Sequence, residues 1–129
     1  MMKRTILNEC LRMAKERNNN WDSRMKSRHF TFVVQDSKIV EMGKNKIGTP
    51  LVHRGYMSYQ YLHSETIAFF KARGILDKQK PFQAVNIRLN KSGEIKLSKP
   101  CACCYNFLQG AGCNKIWFST EIGFAKMDM

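Results

Sequence analysis

"LHSETIAFF", residues 62–70, places a histidine and a glutamate two positions apart and closes on Ile67, Ala68, Phe69 and Phe70, which are ordinary core material. The apolar run, with Gly74 beyond it, predicts a helix over His63 to Arg73. The pair His63 and Glu65 therefore stands at a helix start. A second cluster, "SKPCACCYNFL" at residues 98–108, stands at the start of another predicted helix, which Pro100 is placed to open and "GAG" closes after about Gln109. Cys101 and Cys104 are three apart there. That spacing puts both sulfurs on one face of the first turn, where free backbone N–H groups and the helix dipole favour thiolates.

Two thiolates and one imidazole fill three positions of a tetrahedral Zn²⁺ and leave the fourth for water, the arrangement of a catalytic rather than a closed structural site. His63, Cys101 and Cys104 are the candidate ligands. Zinc lowers the pKa of such a water to roughly 7. Glu65 then reads as the proton carrier between that water, a ring nitrogen and a departing amine. Cys103 falls about 100° around the helix from Cys104 and reads as a core or surface residue. Cys10 and Cys113 have no partner spacing and read as core thiols.

Working outward, Thr5 to about Arg17 carries Ile6, Leu7, Cys10, Leu11 and Ala14 at three- and four-residue spacing, the pattern of an amphipathic first helix that "NNNWD" stops. Phe30, Phe32 and Val34 alternate, "QDSK" is a turn, and Ile39 to Met42 form the return strand of a hairpin. A polar loop from Lys44 to Tyr61 leads to the quoted stretch, and so long a loop suggests function. "AVNIRL" alternates with Val85, Ile87 and Leu89 on one face, "NKSG" turns, and "EIKLS" is a further extended piece. "KIWFS" reads as a strand, and Phe124 to Met127 as an edge strand returning antiparallel. Helix, hairpin, helix, strand, helix and strand pair make an α/β domain with a mixed sheet. At 129 residues the chain has the length of one domain, read here as residues 1–129.

Hydrophobic residues make up 43% of the chain, and no segment is long or apolar enough to cross a bilayer, so no membrane partner is expected. Glu9, Arg12, Lys15 and Glu16 interrupt any apolar run of signal-peptide length at the start, which points to an intracellular, cytoplasmic setting. Clustered thiols in a reducing compartment are more often metal ligands or catalytic groups than disulfides. The net charge of +12 is unusual for a compact enzyme of this size and attracts phosphates.

His63-Ser64-Glu65 followed by Pro100-Cys101-Ala102-Cys103-Cys104 resembles the H-x-E…P-C-x-x-C signature of the zinc-dependent cytidine deaminase superfamily, which spans cytidine, deoxycytidylate, APOBEC-like and toxin-type deaminases. The resemblance implies a three-layer α/β/α sandwich with a mixed sheet of about five strands, one zinc per subunit, and hydrolytic conversion of cytosine to uracil with release of ammonia. "GKNK" resembles the family's Gly-x-Asn turn, which makes Asn45 the candidate for holding the sugar. Ser64, Ser98, Lys99 and Pro100 are the other substrate-binding candidates, with backbone near Ser98 and Lys99 orienting the base. "KIWFST" looks like the strand whose end, at Ser119, lines the pocket.

A histidine as first ligand is typical of the nucleotide, tRNA and polynucleotide branches, whereas the short length and hairpin-like end resemble the free-nucleoside and toxin branches. Lys44, Lys46, Arg54 and Tyr61 are candidate base or phosphate contacts, along with His53, Tyr56 and Tyr59 of the same loop. Together with the charge they favour a base in single-stranded DNA or RNA, which enters a pocket without unpairing a duplex. Deoxycytidylate or a free cytosine nucleoside is the alternative substrate. A zinc-stabilised nucleic-acid-binding module without turnover is the alternative from another class.

Overall fold

The computed structural model describes residues 3–19, 27–47 and 61–129. In chain order the elements are α1 (Arg4–Arg17), β1 (Arg28–Gln35), β2 (Lys38–Lys44), β3 (Lys46–Ile47), β4 (Tyr61–Leu62), α2 (Ser64–Ala72), β5 (Phe82–Leu89), β6 (Ile95–Lys96), α3 (Ala102–Gly110), β7 (Cys113–Thr120) and β8 (Gly123–Asp128). The main sheet runs β2-β1-β5-β7-β8, with β6 paired to β5 off that path. β5 and β7 are parallel and every other pair is antiparallel. The sheet is therefore mixed, and its last strand is the antiparallel edge that the sequence predicts.

Alternation along the strands divides the core into two layers. Phe30, Phe32 and Val34 of β1 join Val85, Ile87 and Leu89 of β5 against Leu7, Cys10 and Ala14, the apolar stripe of α1. On the other face Val33, Ala84 and Ile116 meet Ala68 and Ala72 of α2 and Leu108 of α3. One helix on one face and two on the other make the expected three layers. The outer side of α1 is held by Arg12, which ion-pairs with both Glu9 and Glu16 one turn away on either side. The turn between β1 and β2 has Asp36 and Ser37 at φ of 52° and 61°, the left-handed conformation that matches the twist of a two-residue hairpin.

β2 and β5 both run antiparallel to β1 and hence parallel to each other. After β3 and β4, α2 starts beside Gly43 near the carboxyl end of β2. After β6, the segment that enters α3 is bonded to Ser119 near the carboxyl end of β7, the end at which open α/β sheets carry their sites. Aromatic packing fixes the two helices relative to the sheet. Phe69 of α2 lies edge-on to Phe107 of α3, with ring centroids 5.6 Å apart, and stacks on Phe82 of β5 at 5.8 Å. Such pairs stabilise by about 0.5–1.5 kcal/mol each beyond area burial.

Gly43 sets how closely α2 approaches. A Cβ built there would lie 2.5 Å from the Ala68 backbone nitrogen and 2.8 Å from the Ser64 carbonyl oxygen. β2 and α2 can touch at this level only because position 43 has no side chain.

Two departures from the sequence reading appear. The chain beyond Asn45 forms a short antiparallel ladder, Lys46 opposite Leu62 and Ile47 opposite Tyr61, where only loop is predicted. Two-residue strands carry too few residues for periodicity to register. The helices also begin later than the motif suggests: α2 at Ser64 and α3 at Ala102, with His63 and Cys101 as extended N-cap residues. Among the described residues no helix is long and apolar enough to cross a membrane.

Candidate active site

Neither N-cap side chain bonds to its own helix, although histidine and cysteine occupy the positions where serine or aspartate would cap. They turn toward each other instead. One donor atom each from His63, Cys101 and Cys104 lies within 4.8 Å of the other two. The shortest approach is Cys104 Sγ to His63 Nδ1 at 3.3 Å. A tetrahedral zinc with Zn–S of about 2.3 Å and Zn–N of about 2.0–2.1 Å holds such a pair roughly 3.5 Å apart, so the donor set fits the ion. Cys104 is buried while His63 and Cys101 are exposed, which leaves one side of the cluster open.

Cys104 is the one buried donor of the three. Burial, then the charge of Glu65 and the neighbouring Cys101, pushes its thiol far above the ordinary range. A thiolate in that position requires a cation beside it. None of the five cysteines is in a disulfide.

Glu65 lies in the first turn of α2 and is 5% exposed, a burial that demands partners for both carboxylate oxygens. Ser64 Oγ donates to Oε1 at 3.1 Å, and Asn86 Nδ2 donates to Oε2 at 3.3 Å. Asn86 belongs to β5 and is itself buried. Its Nδ2 also points at the Ser98 carbonyl, 3.5 Å away, and its Oδ1 accepts from Thr31 Oγ1 at 2.8 Å. Thr31 Oγ1 in turn lies 2.8 Å from Ser64 Oγ. Ser64 and Asn86 thus hold the two carboxylate oxygens, with Thr31 packed against both residues.

His29 and Arg88 face each other across β1 and β5, two residues along from the Thr31 and Asn86 pair on the same side of the sheet. Burial holds the His29 imidazole below its ordinary pKa, opposed by the Glu65 carboxylate and reinforced by Arg88 and His63. Arg88 Nη2 donates to Ser27 Oγ at 3.0 Å.

No protein-family model and no curated protein sequence matches the chain. Solved structures do. A dCMP deaminase from the cyanophage S-TIM5, in complex with dCMP and dUMP, superposes with a TM-score of 0.61 at 19% identity, over 92% of this chain and 83% of that one. The apo form of that enzyme gives 0.59 at 22% identity, over 91% and 84%. A cytidine deaminase from Mycobacterium leprae gives 0.60 at 12% identity, over 93% and 92%. The chain has the cytidine deaminase-like fold.

Within this deaminase-like fold the motif residues divide into those that meet at the cluster and those that support it. Ser64 is buried and turns its hydroxyl inward to Thr31 and Glu65. Ser98 is buried and tied to the end of β7: its N–H donates to the Ser119 carbonyl at 2.9 Å, and its Oγ accepts from the Ser119 N–H at 2.8 Å. Ser119 Oγ donates to the Lys96 carbonyl at 2.8 Å. These bonds fix the segment that enters α3, on which exposed Lys99 and half-buried Pro100 precede Cys101.

Asn45 locks the end of β2 to the start of β1. Its Oδ1 accepts from the His29 N–H at 2.9 Å and its Nδ2 donates to the Ser27 carbonyl at 3.2 Å. Among the described residues these two bonds use one lone pair and one N–H of the amide. Lys44 is half-buried, and burial, then Arg17 and Lys71, lowers its pKa. Arg54, His53, Tyr56, Tyr59 and Trp21 lie outside the described residues, as do the side chains of Lys46 and Tyr61. Trp117 packs at the edge of the α1 layer and donates from Nε1 to Gln83 Oε1 at 2.9 Å. Cys103 is exposed, and Cys10 and Cys113 are buried.

Thr31, Asn86 and His29 escape the motif reading. The signal for Asn86 in "AVNIRL" is faint, since it shares with Arg88 the face opposite Val85, Ile87 and Leu89. Thr31 sits unmarked between Phe30 and Phe32.

Proposed function

We propose that this chain is a zinc-dependent hydrolytic deaminase that converts cytosine and water to uracil and ammonia. The observation that carries the reading is the convergence of His63 Nδ1 and the sulfurs of Cys101 and Cys104 beside the buried, doubly hydrogen-bonded carboxylate of Glu65. A zinc module that only stabilises a fold has no use for a carboxylate held in this way.

His63, Cys101 and Cys104 would hold the zinc, which supplies a Lewis acid and a water of lowered pKa. Glu65 takes a proton onto a carboxylate oxygen, delivers it to the ring nitrogen and then carries a proton to the departing amine. The Ser98 and Lys99 backbone orients the base, Asn45 holds the sugar, and Ser119 fixes the segment that carries Ser98. The bonds from Ser64 and Asn86 keep Glu65 at one orientation while the base is exchanged.

Two substrate readings follow, each with its own support. The net charge of +12 favours a cytosine in single-stranded DNA or RNA, because a strand offers many phosphates to a basic surface. The likeness in fold to an enzyme crystallised with dCMP and dUMP favours a cytosine mononucleotide. Salt separates them. Rates measured between about 50 and 200 mM salt fall steeply for a strand held by several phosphate contacts and hardly change for a mononucleotide. A flat salt response with a cytosine-containing strand would rule out the strand reading.

A further inference from the structure

Glu65 and Asn86 come from different elements, α2 and β5, and Asn86 also reaches the Ser98 carbonyl on the segment that leads into Cys101. The amide's orientation is fixed by its neighbours. A carboxylate oxygen and a carbonyl oxygen on one side can only accept, so the NH₂ group must face them, and Oδ1 is left to the Thr31 hydroxyl. An asparagine held by three partners in a site of 3% exposure has no freedom to turn.

We infer that Asn86 is the positioning residue of the site: clamped by Thr31, it fixes the direction of the Glu65 carboxylate relative to the segment that enters α3. The inference rests on the role of Glu65 in the proposed deamination and adds to it a residue outside the His-x-Glu and Pro-Cys-x-x-Cys motifs. A carboxylate has a soft terminal torsion, and its two oxygens swing freely when unbonded. With Ser64 on Oε1 alone, the group could rotate about that contact. The second bond, from Asn86 to Oε2, removes the rotation.

The clamp has a direction of dependence. Thr31 donates to Asn86, and Asn86 donates to Glu65, so loss of the threonine hydroxyl loosens the amide before it loosens the carboxylate. Thr31 Oγ1 also lies against Ser64 Oγ, so it borders both groups that bond the carboxylate. Asn86 is the member that joins the sheet to the carboxylate directly.

The test uses N86L, which keeps the heavy-atom count and branching of asparagine, and T31V, which removes only a hydroxyl. For each zinc-loaded protein, zinc content, melting temperature, KM and kcat are measured on the cytosine substrate that the wild type converts. N86L is expected to lower kcat about 10- to 100-fold with KM and zinc content close to wild type, the size of effect that misplacing a reacting group produces. T31V is expected to lower kcat less, and the double variant to lose less than the product of the two single losses.

The carboxyl ¹³C resonance of Glu65, read on substrate-free zinc-loaded protein, shifts in both variants if the clamp acts on the carboxylate. A purely structural role would lower melting temperature and leave that resonance in place. Unchanged kcat and unchanged resonance in folded N86L overturn the inference. If N86L does not fold, the same two results in T31V overturn it. If the wild type converts no cytosine compound, the proposed reaction fails, and the resonance alone decides whether Asn86 positions Glu65.

Discussion

Cys104 Sγ lies 3.3 Å from His63 Nδ1, across the gap between two helices that are 41 residues apart at these positions. The separation is that of a thiol–imidazole hydrogen bond, and it also matches the spacing that a tetrahedral zinc would impose on the two donors. Substituting His63→Ala or Cys104→Ser should lower zinc affinity by more than about 100-fold, because even residues behind a ligand affect affinity by 10- to 100-fold. Zinc stoichiometry after dialysis against a graded chelator measures this. Retention of zinc by both variants would place the metal elsewhere.

Thiol reactivity reads the same site without turnover. Burial pushes Cys10 up to about 12 and Cys113 up to about 11, so neither offers thiolate at neutral pH. Cys103 is exposed and lies beside the ligand pair. Native zinc-loaded protein treated briefly with an alkylating reagent should be labelled at Cys103 alone. After chelation, Cys101 should join it, and peptide mass spectrometry identifies each position.

The fold was readable because its signals are periodic. The alternation of Phe30, Phe32 and Val34 and the helical spacing of Leu7, Cys10 and Ala14 each report one buried face, and the structure joins those faces in one layer. The convergence of His63, Cys101 and Cys104 was readable because their residue types are rare and they stand at helix starts. Asn86 and Thr31 were not, since their meaning depends on which strand lies beside which, and the two residues are 55 positions apart in the chain. The ladder of β3 and β4 was unreadable for a different reason: two residues per strand carry no period.

Gly43 is the position at which the fold and the site depend on one atom. Gly43→Ala would place a methyl group against the backbone of α2 at Ala68 and Ser64, where no flexible side chain can yield. Overpacking of this kind costs about 1–3 kcal/mol. Since α2 carries Glu65 and begins directly after His63, the variant should lose activity beyond what its lower melting temperature explains. Denaturant unfolding and steady-state rates on the same preparation test this, and a fully active variant would contradict the close approach.

His29 gives a pH dependence with a definite sign. Its folded-state pKa lies below the ordinary value of 6.5, chiefly because it is partly buried. Its contribution to stability is therefore fully present above that value. As pH falls through it, the unfolded chain takes up a proton that the folded protein resists, and stability drops until the lowered folded value is passed. The fall in melting temperature between about pH 7.5 and 5.5 should be smaller in His29→Asn than in the wild type. An identical fall in both would show that His29 is not held neutral by the fold.

The most direct measurement is the mass shift of a cytosine mononucleotide and of a cytosine-containing single strand, each incubated with zinc-loaded wild type and with zinc-loaded Glu65→Gln. The expected result is conversion of cytosine to uracil with release of ammonia by the wild type on at least one of the two. Glu65→Gln should retain its zinc and fall by at least about 100-fold, the contribution expected of a positioned acid–base group. A wild type that binds zinc and converts neither substrate, or a Glu65→Gln variant that converts them at the wild-type rate, would contradict the assignment of this site as a cytosine deaminase.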